Sequence, residues 1–318
     1  MKIKSVELEK INDGIYFLTG MYDEHTAELI LTADGVLKNI VFVEEIIASA
    51  PNILNWKFTA LKQPNDITNI EIRMGDYSFD SDNLSFYPNE NPNFPDEVEL
   101  IIIHHDYNEK DKTQITNGVY IFLDNYLGEL NSITTIDYIS VNSKENAENN
   151  LISITKLKDY LIWREKEFIE KYYGIRYETE NDMYTNISAT LENGMELIAF
   201  VNSTLLDWNS KASHPWILKI EIKYDGDKNN GFPDDLTYDK MNGFEDEIMI
   251  HLKDYEGFLN IGRETADSER NIYFACNDFR LPSKLIPNIE KKYVKYFSVA
   301  FEIYKDKYWQ TFEKFKLN

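Results

Sequence analysis

Hydrophobic and polar positions along the chain switch repeatedly between a period of two and a period near 3.6, the pattern of strands interleaved with helices. Residues 27–33 read as a strand, after which Val36, Ile40, Val43 and Ile47 recur at helical spacing. That helix has to stop before Pro51, because the residue ahead of a proline is pushed out of the helical region. Strands are predicted around 55–62 and 67–73, and the polar, proline-bearing stretch 76–96 reads as a surface hairpin or loop. Residues 98–104 (VELIIIH) are apolar on both faces, as a central strand is. Ile115, Val119, Phe122 and Tyr126 predict a second helix that Gly128 ends, and residues 133–139 a further strand. The order βαβ, insert, βαβ is what two split units sharing one sheet require.

The polar run 141–150 is the predicted linker. A charged helix follows over 155–172, with Leu157, Leu161, Phe168 and Tyr172 on one face and Arg164, Glu165, Lys166 and Glu167 as its solvated side. Asn193-Gly194 predicts a hairpin between strands 183–191 and 195–201, since both residues tolerate positive φ. Trp216, Leu218, Ile220, Ile222 and Tyr224 alternate with charged residues, a strand with one buried face. Met241, Phe244, Ile248 and Leu252 form a helical stripe against that sheet, which leaves Glu245, Asp246 and Glu247 mostly outward. Strands at 257–263 and 270–276, a helix near 284–293 and a strand at 297–304 complete a βαββαβ path. An aromatic C-terminal helix (Tyr308, Trp309, Phe312, Phe315) is expected to pack back on the core. The expected fold class is α+β, as two tandem ferredoxin-like α/β sandwiches with antiparallel or mixed sheets, divided into domains 1–150 and 151–318.

Composition fits that picture. The chain has 318 residues, 43% of them hydrophobic and 14% aromatic, enough to fill two packed interiors. Its 55 acidic residues against 33 basic ones give a formal charge of −22. Such a field repels nucleic acid and anionic membrane, and favours a basic protein partner or cations. A lone Cys276 excludes a disulfide framework and a cysteine-based zinc cluster. Met1–Lys4 leads into polar residues without an apolar signal core, and no apolar run approaches the ~20 residues of a membrane span. A cytoplasmic protein is the expectation.

Few residues invite chemistry. In His104-His105-Asp106, adjacent strand residues face opposite sides, so the two imidazoles do not converge on one ion, and His104 reads as a satisfied strand-end histidine. Ser213-His214-Pro215-Trp216 enters a strand from a loop, a place where ligand or partner contacts are presented; a Ser-His neighbour pair in sequence is not a catalytic dyad. Asp225, Asp227, Asp234 and Asp235 lack the ligand frame of a calcium loop and read as a solvated turn. Cys276 reads as a small buried hydrophobe. Arginine is scarce, and Arg263 and Arg270, on paired strands, come near enough to bind an anion or an acidic partner, or else pair with the abundant carboxylates. Phosphate-cradling glycine motifs and a nucleophile elbow are absent.

Gly231-Phe232-Pro233, then Phe244-Glu245-Asp246 on a helix, Gly262-Arg263-Glu264-Thr265 and Arg270-Asn271-Ile272-Tyr273-Phe274 together resemble a bacterial family known as domain of unknown function 695, over about residues 180–310. Phe232 stands where that pattern has leucine, and Ile261 where it has valine. The N-terminal half, with Ala50-Pro51 and Trp56–Ala60 after an apolar helix, resembles the region that often precedes this domain. The resemblance implies a fold and no activity. With no catalytic residues, metal or cofactor assigned, the expectation is a non-enzymatic binding or regulatory protein, inhibitor- or immunity-like, that offers an acidic surface to a basic protein. The expected binding residues are His214, Trp216, Arg263, Arg270 and Arg280. The alternative is a hydrolase or transferase with an unfamiliar site in the C-terminal half.

Overall fold

The computed structural model describes Leu8 and residues 13–316; Met1–Lys4 lie outside the described residues. The fold is α+β with mixed and antiparallel sheets, in two compact units, Met1–Lys171 and Tyr172–Asn318.

In the first unit, β1 (Tyr16–Met21) and β2 (Ala27–Thr32) form a hairpin, and α1 (Ile40–Ala48) carries the chain to β3 (Trp56–Ala60), which pairs parallel with β2. Two short strands, β4 (Ile72–Met74) and β5 (Tyr77–Phe79), pair with each other. A second sheet contains β6 (Leu84–Pro88), β7 (Glu99–His104), β8 (Tyr138–Asn142) and β9 (Ile152–Ser153), in the order β8-β7-β6-β9. Between β7 and β8 run α2 (Lys112–Leu127) and α3 (Glu129–Thr135), and α4 (Leu157–Tyr172) closes the unit. Both predicted βαβ passages exist, but they lie in separate sheets and do not share one. The stretch 76–96 is also more than a surface loop. It supplies β6, whose Leu84, Ser85, Phe86 and Tyr87 are buried beside β7. The predicted strand 133–139 starts later, at Tyr138, because Gly128 (φ 82) ends α2 and the chain at once begins another helical segment.

Phe79, Phe86, Leu100, Ile102, Val119 and Phe122 are fully buried in this core, and Leu157 and Leu161 of α4 join them. His104 is fully buried too. Its Nε2 lies 2.9 Å from the Ser78 carbonyl and its Nδ1 accepts the Asp106 N–H at 3.1 Å, so both ring nitrogens are used structurally.

Glu129, at the first position of α3, is fully buried and ties three segments together. It accepts the Thr32 hydroxyl at 2.6 Å from the end of β2, the Lys62 N–H at 3.2 Å from the loop after β3, and the Gly35 N–H at 3.4 Å. Lys62 itself pairs with Asp124 through Nζ at 3.2 Å. Removing a buried acceptor leaves its donors without water or partner.

The second unit is built on one six-stranded antiparallel sheet. Its elements are β10 (Tyr184–Thr190), β11 (Glu196–Asn202), α5 (Ser203–Leu206), β12 (Trp216–Lys223), α6 (Asp235–His251), β13 (Phe258–Ala266), β14 (Glu269–Cys276), α7 (Arg280–Tyr293) and β15 (Ser298–Lys305). The sheet order is β10-β11-β13-β14-β12-β15, so β14 is inserted between β12 and β13, the split arrangement of a βαββαβ path, and the hairpin β10–β11 extends the sheet past β13. Ile217, Ile261, Tyr273 and Ala275 meet the C-terminal turn Gln310–Phe315, where Trp309 and Phe312 are buried as expected. On the alternate positions Leu218, Ile220, Ile272 and Phe274 are fully buried, as are Met241, Phe244 and Ile248 of α6.

Replacing Glu129 with alanine is expected to destabilise the protein by about 2–3 kcal/mol, the cost of stranding buried donors. Urea unfolding followed by circular dichroism measures it; a change within error would show that the carboxylate ties nothing together.

Candidate functional site

Strand β13 does not alternate evenly. Asn260 pairs with Phe274 and Gly262 with Tyr273, so Ile261 is an extra residue in a β-bulge. Regular alternation puts positions 259, 261 and 263 on one face. The extra residue instead turns Arg263 to the same side as Asn260, towards α6. Only glycine fits the second bulge position. Gly262 has φ 137, and a Cβ there would run into the Phe200 carbonyl oxygen.

On α6, Glu245 receives what the bulge delivers. Arg263 Nη1 donates to its Oε2 at 2.8 Å and Asn260 Nδ2 to its Oε1 at 3.3 Å. Glu245 is only 4% exposed, which corrects the expectation that it points outward. It sits one turn from Met241 and flanks Phe244, at the margin of the apolar stripe, where a carboxylate is buried once it has a cationic partner.

Arg270, opposite Thr265 across β13–β14, is 2% exposed. Its Nε donates to the Thr265 hydroxyl at 3.1 Å and its Nη1 to Asn242 Oδ1 at 2.9 Å, and its guanidinium lies 5.3 Å from the centre of the Tyr238 ring. Among the described residues no carboxylate forms an ion pair with it. Burial, reinforced by the neighbouring Arg263 charge, lowers its pKa from the ordinary arginine value. A guanidinium stays a cation at neutral pH even so.

Arg263 and Arg270 line one cavity of ≈ 260 Å³. Ile198 and Phe200 of β11 form its floor, Asn186 and Thr265 add polar atoms, and Tyr238 of α6 stands at its side. Phe232 and Pro233 close it from the loop before α6. That loop is held from behind: Tyr224 Oη donates to the Gly231 carbonyl at 2.9 Å, and the Ser268 N–H donates to the same oxygen at 2.8 Å. Gly231 has φ 82, and a Cβ on it would come within 2.9 Å of the Asp267 backbone. Asp234 caps α6 by accepting the Thr237 N–H at 2.8 Å, while Asp225 and Asp227 stay exposed. Among the described residues no group of three or more His, Cys, Asp or Glu side chains is placed to hold a metal ion.

The other residues singled out from sequence lie elsewhere. Trp216 pairs with Cys276 whereas Ile222 pairs with Arg270, which puts Trp216 six residues, or about 20 Å, along the sheet from Arg270. Its ring packs edge-on against Phe279 at 5.2 Å. Arg280 opens α7 at that same end and pairs with Asp278 at 3.0 Å. His214 is 1% exposed, beside Trp208 at 5.4 Å between ring centres, and its carbonyl accepts the Trp309 indole N–H at 3.0 Å. Ser213 Oγ lies 2.8 Å from His214 Nδ1 but directs its proton to the Ser210 carbonyl at 2.6 Å, and His214 Nε2 has no hydrogen-bond partner. That pair has neither a carboxylate to orient it nor access to a substrate. Burial pushes the His214 pKa down from 6.5 to about 4. Cys276 is fully buried and its thiol pKa is pushed up by burial, so it does not form a thiolate.

The segments that carried the family resemblance therefore converge. Phe232 and Pro233, Glu245, Arg263 with Thr265, and Arg270 all contribute to one cavity or to the ion pair beside it. Fold and site together define an α+β protein with an arginine-lined pocket under a loop. Residues 183–317 match the Family of unknown function (DUF695), which confirms the resemblance over the part of the chain that holds this pocket. No curated protein and no solved structure matches the chain. Among the described residues no helix is long and apolar enough to cross a membrane.

Two outcomes test these local arguments. Gly262→Ala is expected to break the β11–β13 pairing at a cost of about 3 kcal/mol or more, since the added carbon meets backbone rather than a movable side chain; wild-type thermal stability would contradict the bulge geometry. For His214, the folded protein keeps the ring neutral down to about pH 4, while the unfolded chain binds a proton below 6.5. Stability therefore falls as pH drops through that window, by about 3 kcal/mol in all. His214→Gln should flatten that slope in urea titrations at neutral and acidic pH, and an unchanged slope would assign the loss to other groups.

Proposed function

We propose that this protein is a non-catalytic binding protein, and that its C-terminal unit captures an anionic group between Arg270 and Arg263 beneath the Phe232-Pro233 loop. One observation carries the reading. Arg270 is a buried guanidinium that lines a cavity and has no carboxylate partner among the described residues. An uncompensated buried cation is costly, and an arriving anion offsets that cost. Against a catalytic role, His214, Trp216 and Arg280 stand at the far end of the sheet from this cavity, and each is engaged in packing or an ion pair.

The charge of −22 favours a second level of binding, a regulatory contact with a basic protein, in the manner of an inhibitor or immunity protein. An open acidic cleft of ≈ 640 Å³ in the first unit, lined by Asp76, Asp106, Glu109 and Glu145, supports it. A partner held this way is captured at low salt and released at high salt; a protein bound equally in both would contradict the electrostatic reading.

The pocket is tested by ligand-induced thermal shifts with a panel of small carboxylates and phosphates. Stabilisation by at least one anion, weakened tenfold or more in Arg270→Leu and less in Arg280→Leu, is the expected result, because a charged hydrogen bond contributes about 1.5–3 kcal/mol. Equal loss in both variants, or no stabilisation by any anion, would refute it.

A further inference from the structure

The charge balance of the cavity narrows what it holds. Its lining is cationic at two places, Arg263 and Arg270, and Glu245 pairs with Arg263 at 2.8 Å, so one positive charge is left. Arg270 commits Nε to Thr265 and Nη1 to Asn242, and its Nη2 makes no hydrogen bond to any described residue. A dianion would bring a second negative charge without a counter-charge, inside a chain whose formal charge is already −22.

The walls narrow it further. Ile198, Phe200 and Phe232 offer apolar surface beside the guanidinium. Phe200 is stacked on Tyr184 with ring centres 5.1 Å apart, and the Arg263 guanidinium lies 5.5 Å from its ring centre, so this wall is fixed before any ligand arrives. The ≈ 260 Å³ of space lies just below the range of drug-sized sites, which favours a small ligand.

We propose that the pocket takes a small monocarboxylate carried on an aromatic or branched aliphatic body, its carboxylate on Arg270 and its body against Phe200, Phe232 and Ile198. This rests on the reading of the cavity as an anion site, and gives that site a ligand class. Glu245 is the selectivity determinant in this account. By neutralising Arg263 it sets the site for a single negative charge, and it touches the ligand only through Arg263.

Calorimetric titration of the full chain with phenylacetate, acetate, phenylacetamide and, at mildly alkaline pH, phenyl phosphate tests this. Phenylacetate is expected to bind, with the other three weaker by roughly tenfold or more, since each lacks the apolar body, lacks the charge or carries a charge too many. Glu245→Gln leaves two uncompensated arginines and should shift the ratio of phenyl phosphate to phenylacetate affinity by roughly tenfold towards the phosphate. The wild-type comparison needs no variant to fold. Phenyl phosphate binding as tightly as phenylacetate would overturn the charge count, and acetate binding as tightly would overturn the apolar body, with the anion site itself intact in both cases. Binding of none of the three anions would overturn the anion site as well.

Discussion

Holding a buried guanidinium, Arg270, beside the half-buried Arg263 on one face of a sheet is unfavourable unless something offsets their charge, and Glu245 is what the second unit supplies. Its carboxylate reaches Arg263 and Asn260 together, which a regular strand does not present on one side. The extra residue Ile261 makes that possible, and Gly262 makes the extra residue possible. Once Arg263 is neutralised, Arg270 can be held by neutral acceptors, Thr265 and Asn242, with the Tyr238 ring beside it. One ion pair, delivered by the bulge, thus sets the charge of the cavity and joins α6 to β13.

This arrangement puts a local cationic site into an acidic protein. At physiological ionic strength exposed charges are screened beyond about 8 Å, whereas buried ones are screened far less. The long-range field and the pocket therefore select for different things. In the proposed function, the field bears on how macromolecules approach, and the pocket on which small group stays. The acidic cleft of the first unit and the arginine pocket of the second can serve separate ligands.

Much of the second unit was legible in the sequence because its periodicities are clean. The Asn193-Gly194 hairpin, the alternating strand from Trp216 and the stripe Met241, Phe244 and Ile248 all appear where the pattern puts them. The first unit was less so. Leu84–Pro88 hides a buried strand in a run rich in Asp, Asn and Pro, and Ile133–Thr135 carries β-branched residues yet continues a helix after Gly128. In the site, the nearness of Arg263 and Arg270 followed from adjacent strands, but Glu245 was read as solvent-facing and Phe200, Tyr238 and Asn242 were missed. A period-2 reading places Arg263 with Ile261, on the wrong face; only the bulge reverses that, and its one trace in sequence is Gly262 inside a strand. His214, Trp216 and Arg280 drew notice by residue type, and residue type says nothing of which end of a sheet a side chain occupies.

In the proposed function, Arg270 is the group that meets the ligand. The Nε–H resonance of Arg270, observed by NMR during titration with phenylacetate, tests it most directly. A saturable shift of that signal is expected, larger than that of any other arginine except Arg263, with slowed exchange against solvent. Saturable binding that leaves the Arg270 signal in place, or that moves Arg280 instead, would contradict it.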